Sequence, residues 1–88
     1  MASLRIVFSS KALRDLEVIH SVDAKRILLD IPVLEKVPWP RGKTKPLRGH
    51  PWWEMKCGDF RVLYRRVEDA VWIERVVNRR DLKRTLRA

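Results

Sequence analysis

Residues 52–77 read Trp-Trp-Glu-Met-Lys-Cys-Gly-Asp-Phe-Arg-Val-Leu-Tyr-Arg-Arg-Val-Glu-Asp-Ala-Val-Trp-Ile-Glu-Arg-Val-Val. Two turn pairs, Gly58-Asp59 and Glu68-Asp69, cut this stretch into three runs, 52–57, 60–66 and 70–77, rich in aromatic and β-branched residues. Strand formers separated by two turn residues predict tight hairpins, and two hairpins in succession predict an antiparallel meander. Alternation then divides each strand between two faces. Trp53, Met55 and Cys57 oppose Trp52, Glu54 and Lys56, and Phe60, Val62 and Tyr64 oppose Arg61, Leu63 and Arg65. One face is expected to pack on helices while the other carries Lys56 and Arg61 into solvent as a basic sheet face.

Working outward from the meander, residues 38–46 hold three prolines and one glycine and read as a loop. Upstream of it, Ala24, Ile27, Leu28, Ile31 and Leu34 recur at helical spacing behind Ser21 or Asp23 as N-cap. Pro32 lacks an amide hydrogen and crowds the preceding turn, so a kink or an early end is expected there. Residues 11–20 place Ala12, Leu13, Leu16 and Ile19 on one stripe behind Ser9 or Ser10, a second short amphipathic helix. Leu4, Ile6 and Phe8 alternate with Arg5 and Val7 as a first strand. Beyond the meander, residues 78–88 have Asn78 as cap and Leu82 and Leu86 one turn apart, which predicts a short basic helix. The expected order is β-α-α-β-β-β, an α+β fold with a small antiparallel sheet packed on a helical hairpin. Eighty-eight residues leave room for one domain, spanning 1–88.

Twenty Lys and Arg against eleven Asp and Glu give a formal charge of +9. A field of this density attracts polyanions, either nucleic acid or acidic protein segments. The one cysteine, Cys57, cannot form an internal disulfide and fits a reducing compartment; with His20 and His50 it makes no zinc spacing. No run of eighteen apolar residues occurs, and the basic, acid-free residues 1–14 read as strand and helix rather than as a targeting segment. A soluble cytoplasmic protein without membrane attachment, metal or cofactor is expected.

The motifs Pro46-Leu47-Arg48-Gly49-His50-Pro51, Gly58-Asp59-Phe60-Arg61-Val62-Leu63-Tyr64-Arg65 and Asn78-Arg79-Arg80-Asp81 resemble those of the RelE/ParE superfamily of toxins from type II toxin-antitoxin systems. The resemblance covers nearly the whole chain. It implies a cognate antitoxin, with assembly up to a toxin-antitoxin heterotetramer. It also implies one of two targets: the RelE-like branch cuts messenger RNA in the ribosomal A site, whereas the ParE-like branch poisons DNA gyrase. One fold hosting both means that the site must decide.

An RNA substrate is favoured by the side-chain chemistry. Metal-free RNA cleavage needs a base for the 2′-hydroxyl, cations for the charge growing on phosphate, and an acid for the leaving oxygen. Arginine's planar, permanently charged fork suits the second of these roles. The resemblance matches Arg61 and Arg79 to catalytic arginines and Lys56 to a lysine on the preceding strand, and alternation independently puts Lys56 on the face of Arg61. Lys43, Lys45, Arg48, Arg80 and Arg84 are candidates for sequence-independent contact with the RNA backbone.

The chain also departs from the family pattern. Asn78 stands where many members have His, and Lys83 where a Tyr follows five residues later. Lys83 is the candidate acid and Glu54 the candidate base, although Glu54 equally suits a salt bridge. His50, in a loop beside proline, reads as a packing residue, and Trp39, Trp52, Trp53 and Trp72 as core or partner contacts, with Trp52 and Trp72 the most exposed. The reading is a ribosome-dependent mRNA endonuclease; its rivals are a gyrase-type inhibitor on the same fold and a non-toxic basic nucleic-acid-binding module.

Overall fold

The computed structural model describes residues 3–87. Met1, Ala2 and Ala88 lie outside them, and with Ala88 the last residue of the expected tail helix. The chain runs β1 (Arg5–Phe8), α1 (Ser10–Val18), α2 (Ser21–Asp30), a 3-10 turn (Ile31–Glu35), β2 (Thr44–Pro46), β3 (Trp53–Cys57), β4 (Phe60–Val67) and β5 (Ala70–Asn78). A second 3-10 turn (Arg79–Asp81) leads into α3 (Leu82–Arg87). The sheet order is β1-β5-β4-β3-β2, with β1 parallel to β5 and every other pair antiparallel.

The meander stands where the turn residues put it. Gly58 has φ +57° and Glu68 φ +54°. The left-handed region costs Gly58 nothing and costs Glu68, which has a Cβ, roughly 1–2 kcal/mol. A bulge follows Leu63: Leu63 faces Arg75 while Tyr64 faces Ile73, so Glu74 is the extra residue on β5.

The sheet is larger than the meander plus one strand. β2 arises inside the proline-rich stretch expected to be loop, pairing Thr44, Lys45 and Pro46 with Met55, Glu54 and Trp53. Proline is tolerated because β2 is an edge strand, where Pro46 owes no donor to an outer neighbour. α2 ends early, at Asp30, and Pro32 falls in the 3-10 turn, as its missing amide requires. The α2 cap is His20, whose Nδ1 accepts from the Val22 amide at 3.3 Å, in place of Ser21 or Asp23. Ser9 caps α1, its Oγ accepting from the Ala12 amide at 3.0 Å and donating to the Glu74 carbonyl at 2.7 Å.

Ala12, Ile27, Ile31 and Leu34 pack on Met55, Val62, Tyr64, Val71, Ile73 and Val76 as the main core. Leu28, expected on the same stripe, is 46% exposed. The opposite face is also partly covered, contrary to the solvated face expected. Leu47, Leu63 and Val77 are buried there beneath Trp52, Leu82 and Leu86, so α3 and the segment before β3 roof the sheet. The cause is local composition. Leu63 and Val77 fall at outward positions of the alternation, and burying each side chain is worth about 2 kcal/mol, which draws the apolar side of α3 onto them. The Lys56 and Arg61 end of this face is left open.

Candidate functional site

Lys56 on β3 and Arg61 on β4 are directly paired across the hairpin, and Val77 on β5 continues the row. Their side chains therefore leave the same face one strand spacing apart, next to the Gly58-Asp59 turn. The Arg61 guanidinium folds back over that turn, Nη1 donating to the carbonyls of Gly58 and Phe60 at 3.0 Å each. Arg79 reaches the same turn from the end of β5: its amide donates to the Asp59 carbonyl at 2.8 Å, and its Nε lies 3.7 Å from Asp59 Oδ1. One turn thus gathers Lys56 and Arg61, which flank it, and Arg79, which arrives from the far end of β5.

Sequence reasoning missed Asp59 as a member of this cluster, taking it only as a turn residue. Its exposed carboxylate holds Arg79 in a long, solvent-screened ion pair worth no more than about 1 kcal/mol. An incoming phosphate can displace it. Asn78 plays a structural role, because its Oδ1 accepts from the Arg80 amide at 3.1 Å and caps the turn that aims Arg79 and Arg80. The capping preference of Asn signalled this in the sequence.

The remaining candidates divide into tethered and free. Lys43 is held under β3, its Nζ 2.9 Å from Asp30 Oδ2 and 3.2 Å from the Lys56 carbonyl. That hydrogen bond keeps the Asp30 carboxyl below its ordinary value. Lys45 lies 3.7 Å from Glu54, which is only 3% exposed and has Oε2 without a hydrogen-bond partner. Glu54 therefore sits under the cover of the outer face as the partner of Lys45, away from the open Lys56–Arg61 end. Arg84 pairs with Asp81 at 2.9 Å. Lys83 is exposed on α3, and Arg48 is exposed in the turn before His50. Among the described residues, the candidates Arg48, Lys56, Arg61, Arg80 and Lys83 have no carboxylate within ion-pair distance.

His50 packs its ring edge-on against Trp52 and accepts from the Trp52 amide through Nδ1 at 3.3 Å, a packing role. All four tryptophans are half-buried. On the helix face of the same turn lies a polar cavity of about 300 Å³, lined by Asp23, Arg26, Cys57, Asp59, Phe60 and Asn78. Burial and the neighbouring Asp30 carboxylate push the Cys57 thiol up to about 12, which leaves it inert as a nucleophile near neutrality.

The architecture, a mixed five-stranded sheet with α1 and α2 on one face and α3 on the other, is that of RelE-like toxins. The toxin-antitoxin complex RelBE2 from Mycobacterium tuberculosis superposes with a TM-score of 0.73 at 25% identity, covering 86% of this chain and 98% of that one. The RelB-RelE antitoxin-toxin complex from Methanococcus jannaschii gives 0.71 at 20%, covering 90% and 96%. A YoeB/ParE toxin from Agrobacterium tumefaciens gives 0.70 at 18%, covering 85% and 98%. No curated protein matches the sequence. The family model of the ParE toxin of type II toxin-antitoxin systems, parDE, matches residues 6–83, and the chain belongs to that family.

Proposed function

We propose that this toxin is a ribosome-dependent mRNA endonuclease of the cytoplasm, held inactive by a cognate antitoxin. The supporting observation is the cross-strand pair Lys56–Arg61 with Arg79 at the same turn: two forks and an ammonium, on an open face, with one weakly held carboxylate among them. Such a cluster stabilises the negative charge that grows on a phosphate when the adjacent 2′-hydroxyl attacks. The unpaired Arg80 and Lys83 extend the positive field along α3 for the flanking backbone. Glu54 lies buried and Asn78 serves as a cap, so proton transfer falls to Lys83 or to groups supplied by the ribosome, and slow turnover is expected.

A second reading, a gyrase inhibitor without nuclease activity, is favoured by the ParE family match and by the absence of His and Tyr at 78 and 83. Membership of a toxin family sets aside the non-toxic binding module. Arg61→Ala tests the first reading. Its side chain bonds only two turn carbonyls, so the fold should survive, while loss of a phosphate clamp should slow cleavage about 10²–10³-fold. Primer extension on translated message should lose its cut sites and growth arrest should cease. Arrest with intact message and inhibited supercoiling would support the gyrase reading instead.

A further inference from the structure

At the far end of β3 from the Gly58-Asp59 turn, on the helix face, a cavity of about 590 Å³ opens beside the β2 edge. Its walls are the rings of Trp39 and Trp53, packed edge to face at 4.9 Å, and the exposed Val37. Its charged lining is Arg41, Lys45 and Arg66, with no carboxylate among the lining residues. The Trp39 indole N–H is already spent on the Leu34 carbonyl at 3.0 Å, so the ring is held in place and presents carbon. This cleft is apolar at the bottom and cationic at the rim, and it plays no part in the Lys56–Arg61–Arg79 cluster.

We infer that the cleft is an anchor site for an acidic segment of the antitoxin, which lays an aliphatic or aromatic side chain over the paired rings of Trp39 and Trp53 and sets flanking carboxylates against Arg41 and Arg66. The inference rests on the chain being a toxin with an antitoxin partner and not on the nuclease reading. Charge complementarity fixes the sign of the partner: Lys45 is already paired with Glu54, but Arg41 and Arg66 have no carboxylate within ion-pair distance among the described residues, so they repel a basic segment and attract an acidic one. The backbone fixes the mode of binding. The Thr44 amide is bonded to the Pro40 carbonyl at 3.0 Å, Lys45 pairs inward with Glu54, and Pro46 has no N–H. The β2 edge therefore has no donor for an added strand, and the occupant must bind through side chains, as an anchor in a pocket with a polar rim. Aromatic walls held rigid before binding lower the ordering cost of that docking.

The test uses the full chain and a fluorescein-labelled peptide, Glu-Glu-Leu-Phe-Asp-Glu, with a Lys-Lys-Leu-Phe-Lys-Lys peptide and a uridine decamer as comparators. Saturable binding of the acidic peptide by anisotropy is expected, weakening as salt rises. Arg41→Glu with Arg66→Glu, both exposed positions, should weaken it about tenfold or more, and so should Val37→Asp, with thermal melts unchanged. Arg61→Ala should bind the peptide like the parent chain whether or not it still cleaves message, which separates this inference from the nuclease reading. Failure of the acidic peptide to saturate, equal binding by the charge-reversed variant, or displacement of the peptide by the uridine decamer in a manner that depends on Arg41 and Arg66 overturns it.

Discussion

Removing one carboxylate, Asp15, should destabilise the fold more than removing any surface acid. β1 ends at Phe8, so the later part of β5 has no strand on the side away from β4, and α1 supplies substitutes. Asp15 Oδ2 accepts from the Val76 amide at 2.9 Å and from Arg75 Nε at 2.8 Å, and Oδ1 accepts from Arg75 Nη2 at 3.0 Å. The side chains of Asp15 and Arg75 are 16% and 28% exposed, and the carboxylate raises the Arg75 pKa. Breaking a buried pair by deleting one partner costs about 3–5 kcal/mol, and a charged hydrogen bond about 1.5–3 kcal/mol. Because Arg75 regains water when its partner leaves, about 3 kcal/mol is expected for Asp15→Ala. In a domain of this size each kcal/mol moves Tm by about 4–8 °C, so the variant should melt roughly 12–24 °C lower. Asp15→Asn keeps an acceptor for the Val76 amide and loses the charge, so it should fall about midway. Asp69→Ala is the comparator: its pair with Arg5 is 71% and 69% exposed, and less than about 0.5 kcal/mol is expected. Thermal and urea denaturation of the three variants decide the matter. If Asp15→Ala melts within about 2 °C of Asp69→Ala, the carboxylate does not serve as the missing edge partner and the account of β5 fails.

Three further outcomes concern titratable groups. With its thiol buried and raised to about 12, Cys57 should resist iodoacetamide at pH 8 in the native protein and react promptly once unfolded; equal rates would mean that the β3–β4 end opens freely. A raised folded value means the unfolded thiol loses its proton first, so stability should decline as pH climbs above about 9, and Cys57→Ala should flatten that decline. Asp30 has the opposite sign. Its folded value is lowered by Lys43, so the unfolded chain binds more protons on the acid side. The pair's contribution is full above the ordinary carboxylate value near 4 and is lost as pH falls through the folded one. Urea midpoints between pH 2 and 6 should fall less steeply for Lys43→Met, by less than about 1 kcal/mol because both side chains are about a third exposed or more. An unchanged acid limb refutes the pairing.

Most of the site lies in the part of the chain where local rules are strong. Lys56 and Arg61 flank a two-residue turn, so hairpin register alone makes them neighbours, and alternation puts them on one face. Arg79 is different. Nothing in the spacing from Asp59 to Arg79 says that the end of β5 returns to the β3–β4 turn; the antiparallel pairing of Phe60 with Asn78 brings it there. Glu54 and Lys56 share a face by alternation, yet one is buried and the other open. The difference is where the cover made by α3 and the segment before β3 lands, and a six-residue helix carries too little periodicity to announce its docking.

Turn chemistry, alternation and helical spacing, all local, were enough to set the meander, both helices of the hairpin, the stop at Pro32, the Asn78 cap and the +9 field. Long-range pairing decided the rest. β2 became a strand because β3 offered an edge, despite its proline; β1 took the free edge of β5, running parallel to it; and Asp15, an ordinary helix acid by sequence, closed a sheet edge about sixty residues away. Such contacts depend on which surfaces are left unpaired once the local elements have formed, and only the assembled chain contains that information.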